Sequence, residues 1–264
     1  MKILSKLILF LFFLLNFNFA FGWGKTAHRV VAEIAYRHLT ENSKKQITEI
    51  IGNQPLAYWA NYPDFIKSDP EAYEKTSSWH YLNLPENLDR NQFDDFLNQS
   101  TDNNLYKRTL VLIDQLKNRK NYSNREQIES LYFLIHLIGD AHQPLHFGRE
   151  EDWGGNKIKV KWFDQPTNLH SLWDDELVDF QKYSYTEYAD VLDFHDSDFN
   201  RKLTDGSPED WYFDSYLLAA KIYSGVKNGD ELKYNYDYEN VEILESQLLK
   251  AGLRLAKLLN EIFD

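Results

Sequence analysis

The 264-residue sequence contains no cysteine. That excludes a disulfide framework, an iron–sulfur cluster, a thiolate zinc site and a cysteine nucleophile. Any metal must be held by His, Asp, Glu, backbone groups or the chain terminus. Basic charge is also scarce: 29 Lys and Arg face 41 Asp and Glu, a net charge of −12. A non-specific basic DNA-binding surface does not fit that balance. The chain lacks internal repeats, low-complexity tracts and Pro/Gly-rich linkers, so one domain is the simplest organisation. What is present suffices for a real core: 43% apolar and 16% aromatic residues, in a chain long enough for one large domain. With a negative mean hydropathy, this composition fits neither a disordered chain nor a polytopic membrane protein.

Residues 1–22 read as a secretory signal. Lys2 and Lys6 give a positive start, Leu7 to Leu15 an apolar run too short for a span, and Ala20 and Gly22 the small residues before a cleavage site. Cleavage between Gly22 and Trp23 leaves 23–264 as the mature domain, with no membrane span. It also leaves 27 basic residues against 41 acidic ones, a charge of −14. Export to a periplasm or to the medium is expected. An uncleaved N-terminal anchor is the alternative. The triplets Asn98-Gln99-Ser100 and Asn121-Tyr122-Ser123 could carry N-glycans in a eukaryotic secretory pathway.

Periodicity is mostly helical. Val30, Val31, Ile34, Ala35 and Leu39 form one apolar face, and a second helix covers roughly 104–118. Asn124 with Gln127 reads as an N-cap pair opening a helix through Leu131, Leu134, Ile135 and Ile138, with Pro144 marking its end. Lys157 to Phe163 reads as half of a small β-hairpin, and Asn168 as the cap of a helix through Leu172, Trp173 and Leu177. Ser207, Pro208 and Asp210 open another helix, and Val241 to Ile262 repeats at helical spacing. The expected fold is a single compact, mainly α domain with long irregular loops near 55–85 and 141–168 and a small β-hairpin.

The eight histidines are not scattered at random. His136 and Asp140 stand at i, i+4 on one helix face, and His170 and Asp174 repeat that spacing. One such pair is ordinarily a surface hydrogen bond. Two in a cysteine-free chain carry more weight, because the first lies in Leu-Ile-His-Leu-Ile-Gly-Asp, a strongly apolar stretch. Burying both groups without a partner costs on the order of several kcal/mol. Zinc suits imidazole and carboxylate, so the residues alone point to a metal site.

Longer runs surround these pairs: Trp-Gly-Lys-Thr-Ala-His at 23–28, Asp64, Trp79-His80-Tyr81-Leu82-Asn83, His136-Leu-Ile-Gly-Asp140-Ala-His-Gln-Pro-Leu-His146, Asp152-Trp-Gly-Gly-Asn156 and Asn168-Leu-His170-Ser-Leu-Trp-Asp174. In this order, over essentially the whole mature chain, they resemble the S1/P1 type of zinc-dependent single-strand nucleases and 3′-nucleotidases. The resemblance implies the compact helical fold shared with zinc-dependent phospholipases C, and three zinc ions. Asp64, His80, His136 and Asp140 would hold one. Trp23, through its amine and carbonyl, would hold a second with His28 and the bridging Asp140. His146, His170 and Asp174 would hold the third. An α-amine titrates near about pH 8 and can bind metal once deprotonated, whereas an amide nitrogen in an uncleaved precursor cannot. Signal removal would thus complete the site.

The implied activity is hydrolysis of single-stranded DNA and RNA to 5′-phosphorylated products, with 3′-nucleotidase activity, by metal-activated water. By that resemblance Asp64 and Asp140 would be the catalytic carboxylates, and Lys67 matches a phosphate-contacting position; its plain alternative is an exposed lysine. Tyr81, Asn83 and Asn156 match the positions that clamp an unstacked base. Asn83 stands where fungal members commonly have aspartate, which changes the donor pattern. A paired base cannot offer its face to an aromatic ring, hence the expected single-strand preference. Three zinc ions would make the cleft locally positive in an acidic chain. His142, His38 and His195 carry no implied ligand role, and Trp59, Trp162, Trp173 and Trp211 read as core. The rival readings are a zinc-dependent phospholipase C acting on lipid headgroups, which typically ends its ligand set in glutamate where this chain has Asp174, and a non-catalytic zinc-binding protein. A monomer is the default.

Overall fold

The computed structural model describes residues 23–101 and 103–264; the expected signal segment at 1–22 lies outside the described residues. Five long helices build the frame: α1 (Lys25–Arg37), α2 (Leu105–Lys117), α3 (Asn124–Asp140), α4 (Pro208–Ser224) and α5 (Tyr234–Phe263). They share one continuous apolar core. On α1, Ala27, Val30, Val31, Ile34 and Ala35 are buried, the stripe expected of a 3.6-residue period. That stripe lies against α5. At the crossing a Cβ on Gly252 would stand 2.5 Å from the Ile34 Cβ, so only glycine lets the two helices approach this closely.

Helix α3 runs through the centre, and every residue from Ser130 to Asp140 is buried. Its cap lies one residue earlier than the sequence indicated. Ser123, not Asn124, is the N-cap, with Glu126 completing a reciprocal capping box, while Gln127 donates to the Tyr122 carbonyl. An anionic Glu is favoured over Gln there because it also meets the positive end of the helix dipole. The cap of α4 is the expected one: Asp210 accepts the Ser207 N–H at 2.7 Å. Helix α5 starts at Tyr234, ahead of the Val241 at which the apolar period begins, since its first two turns are largely exposed.

The expected hairpin is present. Strand β1 (Lys159–Trp162) pairs antiparallel with β2 (Gln165–Asn168), turning through Phe163 and Asp164 at φ 47° and 68°. A third strand, β3 (Glu231–Leu232), adds in parallel to β1; at two residues it leaves no pattern to read. The stretch 55–85 is not the irregular loop expected. It folds as short helices Leu56–Trp59, Tyr62–Phe65 and Pro70–Thr76, with 3₁₀ turns Ile66–Ser68 and Ser77–His80. Each is too short to display a period, but Pro63 and Pro70 sit in first turns and Asp69 caps the third helix. Among the described residues no helix is long and apolar enough to cross a membrane.

Candidate metal centre

Seven of the expected ligand side chains converge between α1, α3 and the connecting turns. Helix α3 delivers His136 and Asp140 one turn apart, and α1 delivers His28 from the side. The 3₁₀ turn Ser77–His80 brings His80, and the 3₁₀ turn Pro144–Phe147 brings His146. Asn168 caps the short helix Leu169–Ser171, accepting from the Ser171 N–H, and the chain then enters a π-helical turn, Leu172–Glu176. That turn carries Asp174 to within reach of His170; π-turns are frequent at functional sites.

Asp140 is the hub. Its Oδ2 lies 2.9 Å from His80 Nδ1 and 3.3 Å from His136 Nε2. Its Oδ1 lies 3.4 Å from His28 Nε2 and 3.6 Å from His146 Nδ1. The His28 and His136 rings stack 3.7 Å apart. Further along, Asp174 faces His146 Nε2 at 3.5 Å and His170 Nε2 at 3.3 Å. Two groups result in which the ligand atoms all lie within 4.8 Å of one another: His28, His136 and Asp140, and His146, His170 and Asp174. All six residues are buried. Gly139 makes room for the first, since a Cβ there would stand 2.6 Å from His28 Nδ1.

The imidazoles are aimed. Nδ1–H of His136, His146 and His170 donates to the carbonyls of Ala60 at 2.7 Å, His80 at 2.6 Å and Gly154 at 2.6 Å. That fixes the tautomer and leaves each Nε2 lone pair facing inward, the arrangement typical of metal-ligating histidine. Gln143 donates to Asp174 Oδ1 at 2.6 Å in the same way. Yet both His28 nitrogens, Asp140 Oδ1, His146 Nε2 and Asp174 Oδ2 are buried with no hydrogen-bond partner. Each such atom costs about 1–3 kcal/mol if left unsatisfied. A cation shared among them removes that cost, so the donor set fits zinc.

Protonation agrees with this. Burial, with His28 alongside, pushes His136 down to about 3, so its imidazole is neutral. Burial alone would raise the Asp140 carboxyl, but the surrounding imidazoles, His136 and His146 foremost, hold it well below the usual carboxylate range. Burial of Asp64 is likewise outweighed by His136, Lys67 and His28, which keep it low. Burial lowers His146, but the Asp140 and Asp174 carboxylates more than offset it and draw the group up, a proton that metal must displace.

The other expected residues are placed around this centre. Trp23 is fully buried, and the next residue, Gly24, donates its N–H to the Asp174 carbonyl at 2.8 Å. Asp64 Oδ1 pairs with Lys67 Nζ at 2.5 Å, so Lys67 is not a solvated surface lysine. Residues 81–84 run beside 146–149, with Leu82 N–H on His146 O and Leu84 N–H on Gly148 O. Leu82 and Leu84 point inward, which leaves Tyr81 exposed and Asn83 half-buried on the other face. Asn156 is buried and donates to the Trp153 carbonyl at 2.8 Å, closing the loop whose Gly154 carbonyl holds His170.

Trp153 is the residue that the sequence reading passed over. It is 62% exposed at φ 56°, with Lys157 Nζ 4.2 Å over its ring. The signal was available: a tryptophan before Gly-Gly in a ligand-bearing loop is badly placed for a core. Trp162, Trp173 and Trp211 are core as expected, and Trp59 is half-buried against Tyr132. His38 pairs with Asp193, and His195 stacks with Phe199 and lies tilted against Phe194. A cleft of about 730 Å³ beside the 62–79 segment is lined by none of the metal-group side chains. Its components are matched already, Arg108 over Trp79 at 3.9 Å, Lys75 with Glu71 and Arg125 with Glu129.

Comparison with known proteins covers the same span of the chain. The chain is 30% identical to Endonuclease 3 of Arabidopsis thaliana, over 94% of this chain and 91% of that protein. It is 28% identical to Endonuclease 2 of the same plant, over 92% and 91%. With Nuclease S1 of Aspergillus oryzae it shares 27% identity, over 92% of each chain. The family model described as S1/P1 Nuclease matches residues 23–264, the span that holds both ligand groups, and the chain belongs to the S1/P1 nuclease family.

Proposed function

We propose that this chain is a zinc-dependent phosphodiesterase that hydrolyses single-stranded DNA and RNA to 5′-phosphorylated products and removes phosphate from 3′-nucleotides. Family membership supports a metal-dependent hydrolase of nucleic-acid ester bonds acting on single strands. The observation that carries the reading is the set of buried, aimed and unpartnered ligand atoms at Asp140, His28, His146 and Asp174.

Three zinc ions are assigned. Asp64, His80, His136 and Asp140 would hold one; Trp23, His28 and Asp140 a second; His146, His170 and Asp174 the third. The assignment of Trp23 uses its free amine, and so requires cleavage after Gly22 and export of the mature chain, which we take to be a monomer. Zinc held by these residues would supply acidified water and electrostatic relief for charge on phosphorus and the departing 3′ oxygen. The chain's own groups do the rest. Asp140, with imidazoles on both oxygens, holds the two sides of the centre at a fixed separation. Asp64 stays anionic beside Lys67, whose ammonium would pair with a phosphate oxygen. Tyr81 would offer an aromatic face to an unstacked base, and Asn83 and Asn156 would supply amides to its edge. A base inside a duplex cannot present that face, which gives the preference for single strands. With few free cations around it, the site grips one or two nucleotides rather than a long strand.

The test is hydrolysis of single-stranded DNA, RNA and 3′-AMP by protein beginning at Trp23, with and without chelator. Cleavage that leaves 5′-phosphate ends and vanishes with chelator is expected. No turnover of any of the three by zinc-loaded protein would reject the proposal.

A further inference from the structure

Behind the ligand groups lies a buried polar cluster that the reaction above does not use. It surrounds the turn from Asp140 to His146. Ser215 of α4 donates its hydroxyl to the Ala141 carbonyl at 2.8 Å. Gln247 of α5 donates to the His142 carbonyl at 3.0 Å and to Ser215 Oγ at 3.2 Å. The His142 ring gives its Nδ1–H to the Ile138 carbonyl at 2.8 Å, which leaves Nε2 to accept from Arg254 at 3.0 Å. Arg254 is fixed in turn by the Leu203 carbonyl at 2.8 Å and by Asp214 at 3.3 Å. His142, Ser215 and Gln247 are fully buried and Arg254 is 4% exposed.

Polar groups so deep are costly, and a packed apolar contact would join α4 and α5 to this turn at least as stably. Apolar contact, however, is non-directional. It cannot set the rotation of a peptide plane, whereas hydrogen bonds to two consecutive carbonyls can. Those carbonyls belong to Ala141 and His142, inside the short bridge whose ends are Asp140 of one ligand group and His146 of the other. Resting on the zinc reading above, we propose that Ser215, Gln247 and Arg254 are positioning residues for the metal centre. They lock the Ala141–His142 turn and so fix the distance and angle at which His146 stands from Asp140, 3.6 Å at nearest approach here. No sequence pattern signals this, because the three residues lie on two helices far along the chain from Asp140 and His146.

The experiment compares Ser215→Ala, Gln247→Leu and Arg254→Lys with the unmodified protein and with Leu97→Ala. Leu97 is buried on the helix Arg90–Gln99, which carries no ligand. Ser215→Ala is the mildest change and keeps the test open if the others misfold. The readouts are zinc affinity by competition with graded chelators, the visible absorption of cobalt-substituted protein, and the thermal midpoint. Ser215→Ala is expected to fold, bind metal about tenfold more weakly and alter the cobalt spectrum. Leu97→Ala is expected to lose thermal stability while keeping both metal readouts. Folded variants with unmodified affinity and spectrum would overturn the positioning role alone. Unmodified protein that takes up no zinc would overturn the zinc reading, and the positioning role with it.

Discussion

The two ligand groups are equally buried but held in different ways. His28, His136 and Asp140 stand on the long helices α1 and α3, so their relative places follow from helix register and from the packing of two apolar faces. His146, His170 and Asp174 stand on a 3₁₀ turn, a one-turn helix and a π-turn. Their places depend on individual hydrogen bonds, His146 to the His80 carbonyl, His170 to the Gly154 carbonyl and Gln143 to Asp174. The first group is therefore as stable as the core. The second is as stable as the turns, and is the one a single side-chain deletion should loosen.

Asp140→Asn breaks the comparison outright, because this carboxylate faces histidines of both groups. Metal loss from both groups and a fall in single-stranded DNA hydrolysis on the order of a hundredfold or more are expected, read by elemental analysis and initial rates. Gln143→Leu should separate the groups. Asp174 loses its orienting donor, and metal affinity at the second group should drop about 10–100-fold while the first is unchanged, as measured by stepwise chelation. Gly139→Ala is the converse. Its methyl collides with the His28 ring, so a stability loss of about 1–3 kcal/mol in denaturant unfolding should come with weaker metal binding at the first group only.

Tyr81→Ala should touch neither group. Zinc content should stay as in the unmodified protein, while KM for short oligonucleotides rises by the loss of about 1–3 kcal/mol of stacking. The smallest effect is expected at the start of α3. The Glu126 carboxyl is held below its ordinary value by the Ser123 hydroxyl and N–H. A lowered folded pKa contributes stability above the ordinary carboxylate range and loses it as pH falls through the lowered value. Glu126→Gln should therefore lower the thermal midpoint slightly at neutral pH, with the difference fading in acid.

The same division decides what the sequence reveals. The stripe on α1, the capped start of α4 and the His136/Asp140 spacing are legible because a long amphipathic helix repeats its signal. The short helices of 55–85 and the two-residue β3 are not, since neither is long enough to show a period. The His and Asp side chains of the two groups are legible regardless, because such residues inside apolar stretches are conspicuous. Trp153 is signalled only by its place before Gly154 and Gly155, and its left-handed backbone conformation is a feature that composition does not encode. The cap at Ser123 was misplaced by one residue because Ser-Asn-Arg-Glu-Gln offers two overlapping capping patterns, which only the charge on Glu126 separates. Pairings across hundreds of residues, such as Gln247 with the His142 carbonyl, depend wholly on how the helices pack.

On this reading the two buried His/His/Asp groups hold metal. Anomalous scattering at the zinc absorption edge, from crystals of protein beginning at Trp23, tests it most directly. Three peaks are expected, two sharing Asp140 and one bonded to His146, His170 and Asp174. Zinc-loaded crystals without a peak at either group would contradict it.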